Sequence, residues 1–170
     1  MNDIMQLPDV DQLIRELAEK IAAKLDEHSA LVGIHTGGAW LAKRLQDLLG
    51  PEIPLGTLDI TFYRDDFSRM GLHPEVKPSS IDFPVDGARI VLVDDVLYTG
   101  RTVRAAMNEL FDFGRPASIE LAVLIDRGGR ELPVAPQYVG ATIPLAHHQN
   151  IQLNRDPTGR LSLSLHDKRH

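Results

Sequence analysis

Between Arg89 and Thr102 the chain reads Arg-Ile-Val-Leu-Val-Asp-Asp-Val-Leu-Tyr-Thr-Gly-Arg-Thr. An apolar run enters two adjacent carboxylates, a short loop carries Thr99 and Gly100, and helical spacing starts at once. Few folds accommodate that order. A continuous apolar run of this length suits a strand buried on both faces, and such strands belong to parallel sheets covered by helices. The polar residues after it then fall at the carboxyl end of the strand, where open α/β sheets bind ligands.

The flanking sequence repeats the pattern. Leu13, Leu17, Ile21 and Leu25, with Val10, Ile14 and Ala18, predict an amphipathic helix over 9–27 that Asp9 or Asp11 would cap. Ala30–Ile34 reads as a buried strand, His35-Thr36-Gly37-Gly38 as a tight turn, and 39–49 as a helix carrying Leu41, Leu45, Leu48 and Leu49. The 56–63 segment alternates Leu58, Ile60 and Phe62 as a strand would. Residues 64–80 are polar and aperiodic, the mark of a functional loop, and 81–85 is expected to return as the second strand of a flexible hairpin arm. A helix over 100–113 should face Val103, Met107, Leu110 and Phe111 inward and end at Gly114. Residues 119–125 form a further buried strand, closed by Asp126-Arg127-Gly128-Gly129-Arg130. Segments 138–142, 151–153 and 161–165 are weaker strands, the last two joined by an Asp-Pro-Thr-Gly turn at 156–159 into a C-terminal β hairpin. The expected fold is α/β: one domain over 1–170, with a mostly parallel twisted sheet flanked by helices.

Composition narrows the function. A hydrophobic content of 43% against 25% charged residues describes a folded chain rather than a disordered one. With no cysteine there is no disulfide framework, thiolate zinc site or thiol nucleophile. No signal peptide and no membrane-length apolar stretch is visible, so a cytoplasmic protein is expected. A net charge of −6 argues against general nucleic-acid binding, which needs clustered Lys and Arg.

The chemistry of the central stretch follows from its residue types. A helix N-terminus presents unpaired N–H groups and a positive dipole end, and Gly100 lets a phosphate approach the backbone between Thr99 and Thr102. Asp94 and Asp95 repel phosphate but accept hydrogen bonds from a sugar diol or hold magnesium. A ribose 5-phosphate matches both halves. Apolar strands ending in aspartates also occur in nucleoside-triphosphatases and receiver domains, but no Gly-x4-Gly-Lys-Ser/Thr loop is present.

The segment from Val91 to Thr102 resembles the phosphoribosyl-diphosphate (PRPP) motif of type I phosphoribosyltransferases. Together with 32–38, 59–66 and 121–133, it resembles the PyrR family of pyrimidine-operon regulators and uracil phosphoribosyltransferases. The resemblance implies magnesium-dependent transfer of ribose 5-phosphate from PRPP to uracil, giving UMP and diphosphate. It implies that Asp94 and Asp95 hold the ribose hydroxyls and the metal, and that Tyr98, Thr99, Gly100, Arg101 and Thr102 cradle the 5-phosphate. It makes Thr36, Gly37 and Gly38 the pyrophosphate loop and starts the closing loop at Arg64, as a catalytic residue. It turns Asp126 and Arg127 toward the base and diphosphate, and it implies a homodimer or a dimer of dimers.

Two positions depart from that family's usual pattern. Gly37 stands where arginine is common, with His35 as a replacement cation, and Gly129 stands where histidine is common. The second departure and the net charge weigh against RNA as a partner. An RNA-binding attenuation regulator, or a nucleotide sensor with little catalysis, is the alternative; on the sensor reading, restoring arginine at Gly37 would raise turnover. Lys20, Lys24, Lys43, Arg44 and Arg130 are the candidates for one basic face, but the helical lysines, alternating with Glu16, Glu19 and Glu27, read as solvated surface. Trp40 reads as core or dimer packing, His147 and His148 as a surface loop, and His166 and His170 as a charged terminus.

Overall fold

The computed structural model describes residues 6–60 and 79–168. Five parallel strands form one sheet: β1 (Ser29–Ile34), β2 (Leu55–Leu58), β3 (Arg89–Leu97), β4 (Ser118–Asp126) and β5 (Tyr138–Thr142). Their spatial order is β2-β1-β3-β4-β5. Helices α1 (Val10–Ala22), α2 (Gly37–Leu49) and α3 (Arg101–Phe111) cover it, and β6 (Gln149–Arg155) with β7 (Leu161–Asp167) forms the separate antiparallel hairpin. Among the described residues, no helix is long and apolar enough to cross a membrane.

Strand alternation divides the core into two layers. Leu31, Val91, Val93, Ala122 and Leu124 pack with α1, α2 and the hairpin residues Ile151, Leu153 and Leu161. Ala30, Val32, Ile34, Ile90, Leu92, Leu121 and Val123 pack with Val103, Ala106 and Leu110 of α3. Both faces are thus buried, as the unbroken apolar strands require.

Several element ends differ from expectation. Helix α1 stops at Ala22 because Asp26 builds a turn, accepting the His28 N–H at 2.8 Å and the Ser29 hydroxyl at 3.3 Å, and this turn feeds β1. Phe111, expected inward, is exposed: the α3 stripe runs through Val103, Ala106 and Leu110, and its next position lies off that face. Residues 81–85 do not form a return strand. Pro84 has no N–H for a ladder, and Ile81 and Phe83 instead lie over Gly56. Among the described residues, antiparallel pairing in this arm is limited to Thr57 with Ser80, at 2.8 and 2.9 Å; residues 61–78, Arg64 included, lie outside the described residues.

One difference creates the site. Strand β3 continues through the acidic pair to Leu97, paired with β4 as far as Asp126. Its pairing with β1 ends at Gly33 and Val93. Residues 94–97 therefore overhang β1, and a notch opens between the ends of β1 and β3. In this strand order that is the point where the winding of the sheet reverses and ligands bind.

Candidate active site

A cavity of about 640 Å3 fills the notch. Its floor is Asp94–Gly100 of β3 and the loop after it. One wall is Thr36, Gly37 and Trp40 at the start of α2; another is Thr102 and Val103 at the start of α3. Arg127 closes it from β4, and Asn150, Gln152 and Lys168 close it from the hairpin. Buried polar residues concentrate here: of Ser29, Asp94, Thr99 and Arg127, all but Ser29 line the cavity.

Two helix N-termini converge on this space. Neither Thr36 nor Gly100, the N-cap residues of α2 and α3, makes a side-chain cap hydrogen bond. Apart from the Arg101 N–H, both therefore turn first-turn donors and the positive ends of their dipoles to the cavity. Gly100 enters α3 with φ of 96°, a left-handed conformation that glycine adopts without strain. Thr99 accepts the Arg101 N–H at 3.2 Å, which leaves its hydroxyl proton to donate elsewhere.

The carboxylates are held by local bonds. Asp94 is 3% exposed and accepts the Asp95 N–H at 2.8 Å; Asp95 accepts the Val96 N–H at 2.8 Å. Alternation sends Asp94 toward the α3 layer and Asp95 toward α2. There Asp95 meets Gly37 so closely that a Cβ on Gly37 would stand 2.3 Å from its Oδ2. Gly38 is equally confined: its Cβ would stand 2.5 Å from the Val93 carbonyl. The two glycines let α2 approach the acidic pair. Among the described residues no three His, Cys, Asp or Glu side chains gather as a metal cage. Two carboxylates beside an anion cradle instead suit magnesium, which shares its coordination with water and substrate phosphates.

The 126–134 loop is strapped to the loop between β3 and α3. The N–H groups of Glu131 and Leu132 donate to the Thr99 carbonyl at 3.0 and 3.1 Å, and that of Arg127 to Leu97 at 3.1 Å. Arg130 donates to the carbonyls of Tyr98 and Val134 and to the Asp126 carboxylate at 2.7 Å. Asp126 also accepts the Gly128 N–H at 3.0 Å, so its carboxylate braces this loop. Arg127 stacks 3.9 Å from the centre of the Tyr98 ring and donates to the Ala146 carbonyl, while its buried Nε has no partner among the described residues. Burial pushes its guanidinium below the ordinary arginine range, and Tyr98 acts in the opposite direction. Across the same ring lies Gly129, with φ of 84°, whose Cβ would come within 2.3 Å of Tyr98. Tyr98 thus occupies the volume that any side chain at 129 would need.

Of the residues the sequence singled out, Thr36, Gly37, Asp94, Asp95, Tyr98, Thr99, Gly100, Thr102 and Arg127 line this cavity together. Gly38 packs behind it, Asp126 braces the loop, and the Arg101 side chain is ion-paired outside with Glu131 at 2.9 Å. The candidate basic residues do not share one face: Arg130 is half-buried, Lys20 of α1 and Lys24 beyond it reach toward β5, and Arg44 reaches Gly159 of the hairpin turn. Sequence reasoning missed Asn150, Gln152 and Lys168, and it read Trp40 only as packing. The available signal was amides alternating with Ile151 and Leu153 in a strand whose outer face is not all solvent.

The comparisons with known proteins agree with this geometry. The phosphoribosyl transferase domain model matches residues 1–157. A protein of Pseudomonas fluorescens named bifunctional protein PyrR is 52% identical, over 88% of this chain and 92% of its own. The protein of that name from Pseudomonas entomophila is 51% identical, over 95% and 94%. Among solved structures, a purine phosphoribosyltransferase from Pyrococcus horikoshii is 30% identical and superposes with a TM-score of 0.61, over 79% of this chain and 81% of its own. A Bacillus anthracis hypoxanthine-guanine phosphoribosyltransferase, 19% identical over 84% and 86% of the two chains, shares the fold with a TM-score of 0.65. A chain with this cavity at the end of a 2-1-3-4-5 sheet, and with relatives of this closeness, belongs to the phosphoribosyl transferase family and, within it, to the PyrR proteins.

Proposed function

We propose that this chain transfers ribose 5-phosphate from PRPP to uracil, giving UMP and diphosphate, with residues 1–170 as one domain. The observation that carries the proposal is the convergence of two helix N-termini and the Asp94–Asp95 pair on one cavity. The α3 N-terminus, with Thr99 and Thr102, binds the 5-phosphate; the α2 N-terminus at Thr36 and Gly37 receives the diphosphate. Asp94 and Asp95 accept the ribose hydroxyls and hold magnesium. When bound, magnesium neutralises charge gathering on the departing diphosphate.

The remaining chemistry belongs to the chain. As the bond from ribose C1 to diphosphate breaks, positive charge grows on the ribosyl group, and a carboxylate near C1 stabilises it. Asp95, on the α2 side of the strand, is the candidate. Uracil N1 then bonds to C1 and releases its proton. The alternating acceptor and donor groups on a uracil edge suit amides such as Asn150 and Gln152, with Arg127 as a further donor. Water is excluded by the hairpin and, on this reading, by the loop from Arg64. A cytoplasmic location and a homodimer or dimer of dimers accompany the proposal.

UMP and uridine share base and sugar, so their difference isolates the phosphate cradle. UMP is expected to bind about a hundredfold more tightly than uridine, since charge-assisted bonds each contribute about 1.5–3 kcal/mol. Thr99→Val should narrow that gap in a calorimetric titration, whereas equal affinities in the unaltered protein would remove the 5-phosphate from this site. The word bifunctional in the relatives' names favours a second role as a UMP-responsive RNA regulator. A gel shift against pyrimidine-operon leader RNA, with and without UMP, tests it; no specific shift at low salt would end that reading.

A further inference from the structure

A second cavity, of about 440 Å3, lies on the other side of Trp40. His35, Ala39, Trp40, Lys43 and Arg44 line one side; Arg155, Gly159 and Leu161 of the hairpin line the other. Trp40 lines both cavities, and the wall between them is the short segment from His35 to Trp40.

The lining has one sign of charge. Lys43, Arg44 and Arg155 are fixed cations, and among the described residues no carboxylate lines the space, although the whole chain carries −6. Lys43 pairs with Asp47 at 2.9 Å and Arg44 with Asp11 at 3.8 Å. Both pairs are substantially exposed, and such pairs are weak enough for a ligand to displace. Among the described residues Arg155 has no carboxylate partner, and it lies 4.6 Å from the centre of the Trp40 ring. Arginine held against an aromatic face keeps N–H groups for a phosphate. The volume suits a nucleotide more than a bare inorganic anion.

We propose that this cavity is an effector site for a nucleoside polyphosphate, with its phosphates on Lys43, Arg44 and Arg155. Its occupant acts on the reaction through the wall it shares with the main cavity. A ligand that draws on Arg155 and His35 shifts Trp40, Thr36 and Gly37, which line the space assigned to the diphosphate. The coupling rests on the proposed function above; the binding does not.

Trp40 is the single tryptophan of the chain, so its fluorescence reads this wall. The test titrates UTP and inorganic tripolyphosphate into the full chain with the main cavity saturated by UMP. A saturable change is expected for both, with UTP at least as tight as tripolyphosphate. Arg155→Glu should raise the half-saturating concentration at least tenfold, and Arg155→Lys should retain binding; residue 155 is exposed, so neither change threatens the fold. No saturable change, or an unchanged titration in Arg155→Glu, overturns the site. Tripolyphosphate binding tenfold tighter than UTP overturns the nucleotide assignment. If UMP itself fails to bind, the catalytic proposal falls, and the comparison of unaltered protein with Arg155→Glu still decides this one. UTP should also shift kcat/KM for PRPP at least threefold in the unaltered protein and not in Arg155→Glu; the same shift in both would overturn the coupling.

Discussion

Gly37→Arg is expected to lower phosphoribosyl transfer by about a hundredfold, the scale of a 1 Å displacement of a reacting group. The reason lies one atom from the backbone. A Cβ on residue 37 would stand 2.3 Å from the Asp95 Oδ2 and 2.8 Å from its Cγ, so the carboxylate must move. The new guanidinium would then pair with the carboxylate it has displaced. Both effects withdraw Asp95 from the ribose. UMP affinity should change far less, because the 5-phosphate is held at Thr99 and Thr102 by a different helix. Gly37→Ala separates the causes: it adds the Cβ without the charge, and it should reproduce most of the loss. Initial rates with PRPP and uracil check this. A rise in turnover with arginine, which the family pattern alone suggests, would mean that the contact between Gly37 and Asp95 is unimportant.

Asp94→Asn should weaken PRPP binding about ten- to a hundredfold, the loss of one or two charge-assisted hydrogen bonds. The substitution preserves shape, and the amide oxygen can still accept the Asp95 N–H that the carboxylate accepts at 2.8 Å. Thermal unfolding should therefore change little while the dissociation constant for PRPP, measured by calorimetry with magnesium present, rises. Unaltered affinity would mean that Asp94 faces neither the sugar nor the metal.

How far the sequence reached depended on distance along the chain. Strand β5 at Tyr138–Thr142 and the identity of β3 were legible because periodicity is local. The placing of Thr99–Thr102 at a strand end and helix start was legible for the same reason: strand, loop and helix N-terminus are contiguous. The overhang of 94–97 past β1 was not, since it depends on where the register between two strands ends. The hairpin residues Asn150 and Gln152 look like the wet side of an amphipathic strand until β6 folds over the sheet. Asp126 is the converse. A strand-end carboxylate beside arginines reads as a binding residue, but its bonds to Arg130 and the Gly128 N–H stiffen the loop that carries Arg127. Trp40 satisfies two descriptions at once, packing against the core at one edge and dividing two cavities at the other.

The central claim is that the notch between β1 and β3 joins PRPP to uracil. The direct measurement incubates the protein with PRPP and magnesium and offers uracil, hypoxanthine, guanine and orotate in separate reactions. The prediction is UMP and diphosphate with uracil, and no nucleotide with the other three. Absence of UMP, or a nucleotide formed at equal or greater rate from another base, would contradict it.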